Sequence, residues 1–514
     1  MTDSRPMTDS EPMTDASRVP AAGLEYAWSA LGADPALLTR VSCLPRPGAL
    51  EARLPVRELA RACVGACALA AAELGARRAG RAEVPEVRLD DGAIATAFTS
   101  ERHLLVDGRA PVTFAPLSRF WRTADGWVRT HANYPHHRAR LLAALDLPTE
   151  DPEVVAAALA ERSAGEVEES VYAAGGLAVA LRTPEEWAAH EQAAEVARRP
   201  LVEREPPAGE GRGGRLVGAR VRALPPLDGA PLLPAAGVRV LDMTRVIAGP
   251  VATRTLALLG ADVLRVDPPH LPELTDQHAD TGFGKRSAAL DLAADRRVFE
   301  ELLAAADVVV TGYRPGALDR FRLSRLSPRE LAARRPGLVV AQLSAWGAHG
   351  PWGGRRGFDS LVQVATGIAA LEAATGDASA RRPGAAPARG GSVERPGALP
   401  AQALDHGTGY LLAAAVLRAL TERQEHGYGR WVRLSLARTA WWLTHGIRPA
   451  SQGTVAYDGP GAWLTERDSP LGRLRYALPP VSFAGGPADW ARPPGVPGAD
   501  EARWEHWDAA PRVG

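Results

Sequence analysis

Few positions in this chain combine reactive side chains with a spacing that chemistry can use. One is Asp405-His-Gly-Thr-Gly409, a carboxylate and small residues ahead of an apolar helical run to Leu420. Taken alone it is a helix start, with Asp405 as the N-cap of a helix over Gly407–Leu420. A second is Lys285-Arg286, which by itself is either a solvated loop or a contact for phosphate. His136-His137 are adjacent rather than spaced for one metal ion, and fit a helix surface. Cys63 and Cys67 share a helix face, but no histidine lies near them, so they read as buried thiols rather than zinc ligands.

The usual nucleotide signatures fail. No Gly-x-Gly-x-x-Gly follows the Val238–Asp242 run, and no Gly-Lys-Ser/Thr phosphate loop or Gly-x-Ser-x-Gly elbow occurs. NAD, P-loop and α/β-hydrolase chemistry are therefore poorly supported.

The elements that must carry these residues are clearer. Val238-Arg-Val-Leu-Asp242 reads as a strand, followed by a loop through Pro250 and a helix over Thr253–Leu259. Asp262–Asp267, Asp307–Thr311 and Gly337–Leu343 read as further strands, with a helix over Arg296–Ala306. Strands alternating with helices predict a parallel, doubly wound sheet that binds ligands at the carboxyl ends of its strands. A weak repeat also runs through the chain. An Ala/Leu helix leading into Val-Arg-Leu occurs over Leu69–Asp90 and again over Leu411–Ser435, with Ala60 in the place of Asp405.

Composition narrows the class. The 514 residues carry 60 Lys+Arg against 60 Asp+Glu, which argues against nucleic acid as a partner. No stretch of about 18 uninterrupted apolar residues is present, so no membrane partner is expected. Three cysteines point to a reducing, cytoplasmic setting. Residues 1–20 read as a disordered leader, 21–202 as a first partial copy with a small-domain segment, and 203–236 as a linker. Residues 237–445 are expected to form a Rossmann-like domain, with a flexible insertion at 376–400, and 446–514 to complete the small domain.

Seven segments in order then resemble one family. They are VRVLDMTRVIAGP (238–250), LGADVLRVD (259–267), GKRSAALD (284–291), ADVVVTGYRPGALDR (306–320), AWGAHGP (345–351), Gly357-Phe-Asp359 with Gln363 and Gly367, and Asp405–Gly409. Together they resemble the family III CoA-transferases, the CaiB/BaiF group of formyl-CoA and carnitine CoA-transferases and α-methylacyl-CoA racemases. The order of the remaining parts suggests two fused partial copies. The resemblance implies an α/β fold, a Rossmann-like CoA domain with a smaller α+β domain drawn from both ends of the sequence. It implies transfer of CoA from an acyl-CoA to a carboxylic acid, with Asp405 as nucleophile through aspartyl anhydride and thioester intermediates. Gly249, Lys285, Arg286 and Arg320 would contact CoA, and the glycines after Asp405 would leave backbone N–H groups for a developing oxyanion. Coenzyme A or acyl-CoA would be substrate, and neither metal nor redox cofactor is implied. Family members are homodimers, and the resemblance implies either a homodimer here or an internal pseudo-dimer of the two copies. Two departures matter: Ile247 stands where some members carry Gln, so carbonyl polarisation there is lost, and Phe358 stands where the racemase branch needs His, which disfavours racemisation. The alternatives are an acyl-CoA racemase or isomerase, and a non-catalytic acyl-CoA-binding protein.

Overall fold

The computed structural model describes residues 23–205, 222–318, 335, 337–373, 395–449, 453 and 455–505. The expected leader at 1–20, residues 206–221 of the linker, Arg320 and residues 374–394 of the insertion lie outside them.

The first half opens with β1 (Val41–Leu44) and β2 (Val87–Asp90), paired in parallel and joined through a long helix, Val56–Arg78. That helix is long and apolar enough to cross a membrane, but it is buried along its length against other helices. Next come β3 (Leu105–Val106), β4 (Phe120–Arg122), β5 (Trp127–Thr130) and β6 (Ala178–Ala180). Strands β4, β5 and β6 form an antiparallel sheet. Helices Pro135–Leu145, Pro152–Ala160 and Ala164–Ala173 pack on it around a separate core that includes Trp121, Val128, Leu141, Leu159 and Val171. The last of these helices starts where the sequence dictates, at a capping box in which Ser163 and Glu166 satisfy each other's backbone N–H groups.

The second half builds the main sheet from β7 (Glu203–Glu205), β8 (Arg239–Met243), β9 (Asp262–Asp267), β10 (Arg286–Ala289), β11 (Val308–Thr311), β12 (Val339–Ser344) and β13 (Trp431–Ser435). Their order is β10-β9-β8-β11-β12-β13-β7, parallel except for the edge strand β7. The doubly wound expectation holds because runs such as Val308-Val-Val310 are buried on both faces. A second long helix, Ala403–His426, packs against the first. Ion pairs Glu73–Arg418 and Arg77–Glu425 link the two at sequence separations of 345 and 348 residues, so the helices run parallel in nearly constant register. The same spacing separates the two Val-Arg-Leu strands, and Asp90 and Ser435 cap the helices that follow them. The two related units therefore face each other within one chain.

Two boundaries need correction. Residues 203–205 of the expected linker are strand β7, held on the sheet by pairing with β13. The C-terminal segment does not complete the β4–β6 domain. Its hairpin, β14 (Leu464–Ser469) and β15 (Gly472–Ala477), pairs instead with β3. Beyond it, Trp490 and Trp504 donate their indole N–H groups to Arg254 O and Leu302 O, fastening the tail to the main-sheet layer. The β4–β6 unit is thus built from the first half alone, while the β3–β15–β14 sheet draws its strands from both ends of the sequence. In the 376–400 stretch, residues 395–400 are not free. Gly397 N donates to Ala369 O and Leu399 N to Gln363 Oε1.

Candidate active site

Asp405 is the third residue of the Ala403–His426 helix, with Gln402 at the N-cap, so it is not the cap expected from sequence. Its backbone N–H donates to Asp359 Oδ2 at 2.8 Å. Asp359 opens the Asp359–Ala365 helix, and its other oxygen accepts from Gln363 Nε2 at 2.5 Å. The Gly357-Phe-Asp359, Gln363, Gly367 spacing now has a physical meaning. Gly357 lies where a Cβ would strike Ala345 and Trp346, and Gly367 takes φ +83° against the Pro184 backbone.

Both carboxyls are shifted. Burial, with the neighbouring Asp359 and Glu101 charges, holds Asp405 well above the ordinary carboxylate range. Burial pushes Asp359 up to about 6 despite its hydrogen bonds. Glu101 comes from a one-turn helix, Ser100–His103, in the first half of the chain. Burial raises its carboxyl, but His406, whose Nε2 stands 3.5 Å from Oε2, together with a backbone hydrogen bond and Arg102, more than offsets this and leaves it below its ordinary value.

Asp405 is a wall of two cavities. The first, about 460 Å³, opens between the carboxyl ends of the strands and the Pro135–Leu145 helix. It is lined by Arg140, Arg245, Arg314, Arg355 and Arg356, with Tyr134, Tyr313 and His270, against the acids Asp291 and Asp405. This excess of cations suits a polyanion such as a pyrophosphate. The second cavity, about 500 Å³, is lined by Glu101, Arg109, residues 111–115, His131, Ile247, Gln277, Ser360 and Gln402. Val246 and Phe358 border both.

The partition between them is braced by Glu273. Its Oε2 accepts from Val246 N and Arg265 Nη2, each at 3.0 Å, and its Oε1 accepts from the Tyr134 hydroxyl. Arg265 and Arg245 outweigh burial and lower the Glu273 carboxyl to about 2. Val246 is thereby held at φ +70°, a left-handed conformation that costs a β-branched residue roughly 1–3 kcal/mol. Arg245 is fixed by donating to Leu271 O and Pro272 O, with its guanidinium over the Tyr134 ring.

The other site residues named from sequence lie elsewhere. Lys285 is buried, with Nζ donating to Asp242 Oδ2 at 3.1 Å and to Pro250 O at 3.0 Å. It balances a buried acid rather than facing a phosphate, and burial lowers it to about 8. Arg286 is clamped on Asp262 and donates to Arg503 O, away from both cavities. Gly249 sits behind the cavity wall, where a Cβ would meet Thr244, in a helix that begins earlier than expected, at Ala248. Gly407 and Gly409 are helix residues whose missing side chains admit Cys63 and the Ala248–Val251 turn, so they serve packing rather than an oxyanion. His136 and His137 do sit on a helix, yet they line the first, cationic cavity, and His137 is buried. Among the described residues, no cluster of three His, Cys, Asp or Glu is placed to hold a metal. Sequence reasoning missed Glu101, Arg245 and Glu273; only Arg245, inside the VRVLDMTRVIAGP segment, carried a signal.

Residues 235–455 match the sequence profile of CoA-transferase family III. An acetyl-coenzyme A transferase of Hypoxylon pulicicidum is 33% identical over 270 residues, covering 51% of this chain and 42% of that protein. A probable fatty acyl-CoA transferase of Mycobacterium tuberculosis is 33% identical over 221 residues, covering 40% and 51%. A formyl-CoA:oxalate CoA-transferase of Streptomyces coelicolor is 31% identical, covering 39% and 47%. A crystal structure of a hypothetical protein from Mycobacterium tuberculosis is 31% identical, covers 41% of this chain and 56% of its own, and has a TM-score of 0.34. The chain spans about half the length of the curated relatives it matches. The segment that carries Asp405, Asp359 and the parallel strands belongs to CoA-transferase family III.

Proposed function

We propose that the protein moves CoA from an acyl-CoA donor to a carboxylic acid, with Asp405 as covalent nucleophile. The observation that carries this reading is the position of the Asp405 carboxyl between a cationic cavity and a second, separate one. The cationic cavity would hold the phosphate-bearing end of CoA, and the thioester would cross the Val246–Phe358 border.

The ionised Asp405 carboxylate attacks the thioester carbonyl and expels CoA as its thiolate, leaving a mixed anhydride. The thiolate then attacks the aspartyl carbonyl, giving an aspartyl–CoA thioester and releasing the first acid. An acceptor carboxylate attacks that thioester, and the thiolate returns to the acceptor's carbonyl, freeing Asp405. A carboxylate suits this exchange because its acyl derivative is an anhydride, which a thiolate opens readily. The first-turn position of Asp405 places the positive end of the helix dipole beside developing negative charge.

The racemase reading needs a second acid/base beside Asp405. His131 lies in the second cavity, but it stacks on Phe358 at 3.7 Å between ring centroids. Burial pushes it down to about 3, which leaves a weakly basic neutral ring. The transferase reading is therefore preferred. Mass spectrometry after incubation with acyl-CoA and a hydroxylamine quench tests it. A hydroxamate on the Asp405 peptide, absent from Asp405→Ala, is the expected result. Unmodified Asp405 in protein that binds CoA, together with solvent exchange of the α-hydrogen, would transfer the case to racemisation.

A further inference from the structure

With the phosphate-bearing end of CoA in the cationic cavity, the acyl group of a thioester at Asp405 enters the second one. The surface it meets there is apolar. Pro111, Val112 and Phe114 come from the loop between β3 and β4, and Ile247, Leu274 and Phe358 complete the wall from the second half of the chain. Val112 and Phe114, 73% and 37% exposed, carry this lining out to solvent. The polar lining residues are paired with one another or closed off. Asn133 is committed to the loop backbone, accepting from Ala115 N and donating to Thr113 O. Glu101 is engaged by His406, and Ser360 Oγ and Gln277 Nε2 are buried out of reach. A wall of this kind rewards burial of a hydrocarbon chain.

Charge adds a second restriction. Arg109 is the one arginine or lysine among the described lining residues, and it is committed to Asp276 through bonds of 2.6 and 3.2 Å. A ligand's second carboxylate would meet no free cation on this wall and would approach Asp405. Yet a cation stands one side chain away. The Arg129 guanidinium lies over the rings of Phe114 and Phe120, 5.1 and 4.8 Å from their centroids, and burial lowers it to about 10. Phe114 thus borders both the cavity and a buried positive charge.

We propose that the second cavity takes apolar acyl chains and rejects dicarboxylic ones, with Phe114, contributed by the first half of the chain, as the specificity-determining residue that extends the apolar wall and covers Arg129. This rests on the transferase reading in taking the ligand to be an acyl-CoA.

The test is isothermal titration calorimetry of the full chain with CoA, butyryl-CoA, hexanoyl-CoA, octanoyl-CoA and succinyl-CoA, run beside hydroxylamine trapping at Asp405. Affinity should rise about tenfold for each two methylenes added between butyryl and octanoyl. Succinyl-CoA, which differs from butyryl-CoA in its terminal carboxylate, should bind about tenfold more weakly. Phe114→Ala should cut the chain-length gain to about threefold per two methylenes and raise succinyl-CoA about tenfold by uncovering Arg129. Adding Arg129→Met should cancel that rise, and Phe114→Leu, which keeps an apolar cover, should preserve the original order. Equal affinity along the series, or succinyl-CoA binding as tightly as butyryl-CoA, overturns the proposal even if no variant folds. An unchanged order in Phe114→Ala overturns it as well. In either case a hydroxamate on Asp405 leaves the transferase reading intact. A chain-length gain without that label keeps the selectivity and removes the covalent transfer.

Discussion

Asp359 Oδ2 accepts the backbone N–H of Asp405 at 2.8 Å, so one buried carboxyl anchors the turn that presents another. The two are coupled by charge as well as by geometry, since each must lose its proton in the other's field. A nucleophile needs Asp405 ionised, whereas its surroundings favour the neutral acid. Reactivity at this site therefore depends on pH above the range of an ordinary aspartate.

The rate of hydroxamate formation at Asp405 should rise with pH to a plateau. Its midpoint should lie above that of an exposed carboxylate. Asp359→Asn removes the neighbouring charge and should move the midpoint downward. A flat profile from pH 4 to 8 would contradict the shift.

Stability should answer to the same residue with the opposite sense. A carboxyl raised in the folded state binds its proton more tightly there than in the unfolded chain. It therefore subtracts stability as pH rises through the folded value. Asp405→Asn should raise Tm at pH 7 by about 2 °C or more and lose that advantage near pH 4. Differential scanning calorimetry at the two pH values checks this.

Glu273 behaves in reverse. Its carboxyl, lowered to about 2, contributes stability that is present above its ordinary value of 4.5 and is lost as pH falls toward 2. Glu273→Gln should cost about 3–5 kcal/mol in urea unfolding, because Arg265 is left buried with one partner fewer. It should also release Val246 and weaken CoA binding.

Arg314→Ala should lower CoA affinity about tenfold, as expected for loss of one charge-assisted contact to phosphate. The loss should shrink in high salt. Titration calorimetry at two ionic strengths reads both effects, and an unchanged Kd would take Arg314 out of the binding surface.

The contact between the long helices is also testable. Arg418→Met should cost about 3 kcal/mol by leaving the buried Glu73 to the half-exposed Arg77, while Arg418→Met with Glu73→Leu should recover most of it. Additive losses in the double variant would show that the pair does not act as a unit.

The strands were legible in the sequence because a parallel sheet covered on both faces writes continuous apolar runs such as Val308-Val-Val310 and Val339-Val-Ala341. Asp405 was legible through its motif. Lys285 and Arg286 misled because a basic pair reads the same whether it faces phosphate or an internal acid. Their partners Asp242 and Asp262 lie 43 and 24 residues away in sequence. Glu101 left no local trace, since a one-turn helix meets Asp405 only through the tertiary fold. The C-terminal segment was misplaced because its tryptophans identify a buried tail without saying which layer it covers.

The parallel register of the two long helices has a consequence for concentration. Both belong to one polypeptide, so their meeting is an intramolecular event with a fixed effective concentration. Dilution cannot separate them. The helix that presents Asp405 keeps its partner at nanomolar protein as it does at millimolar.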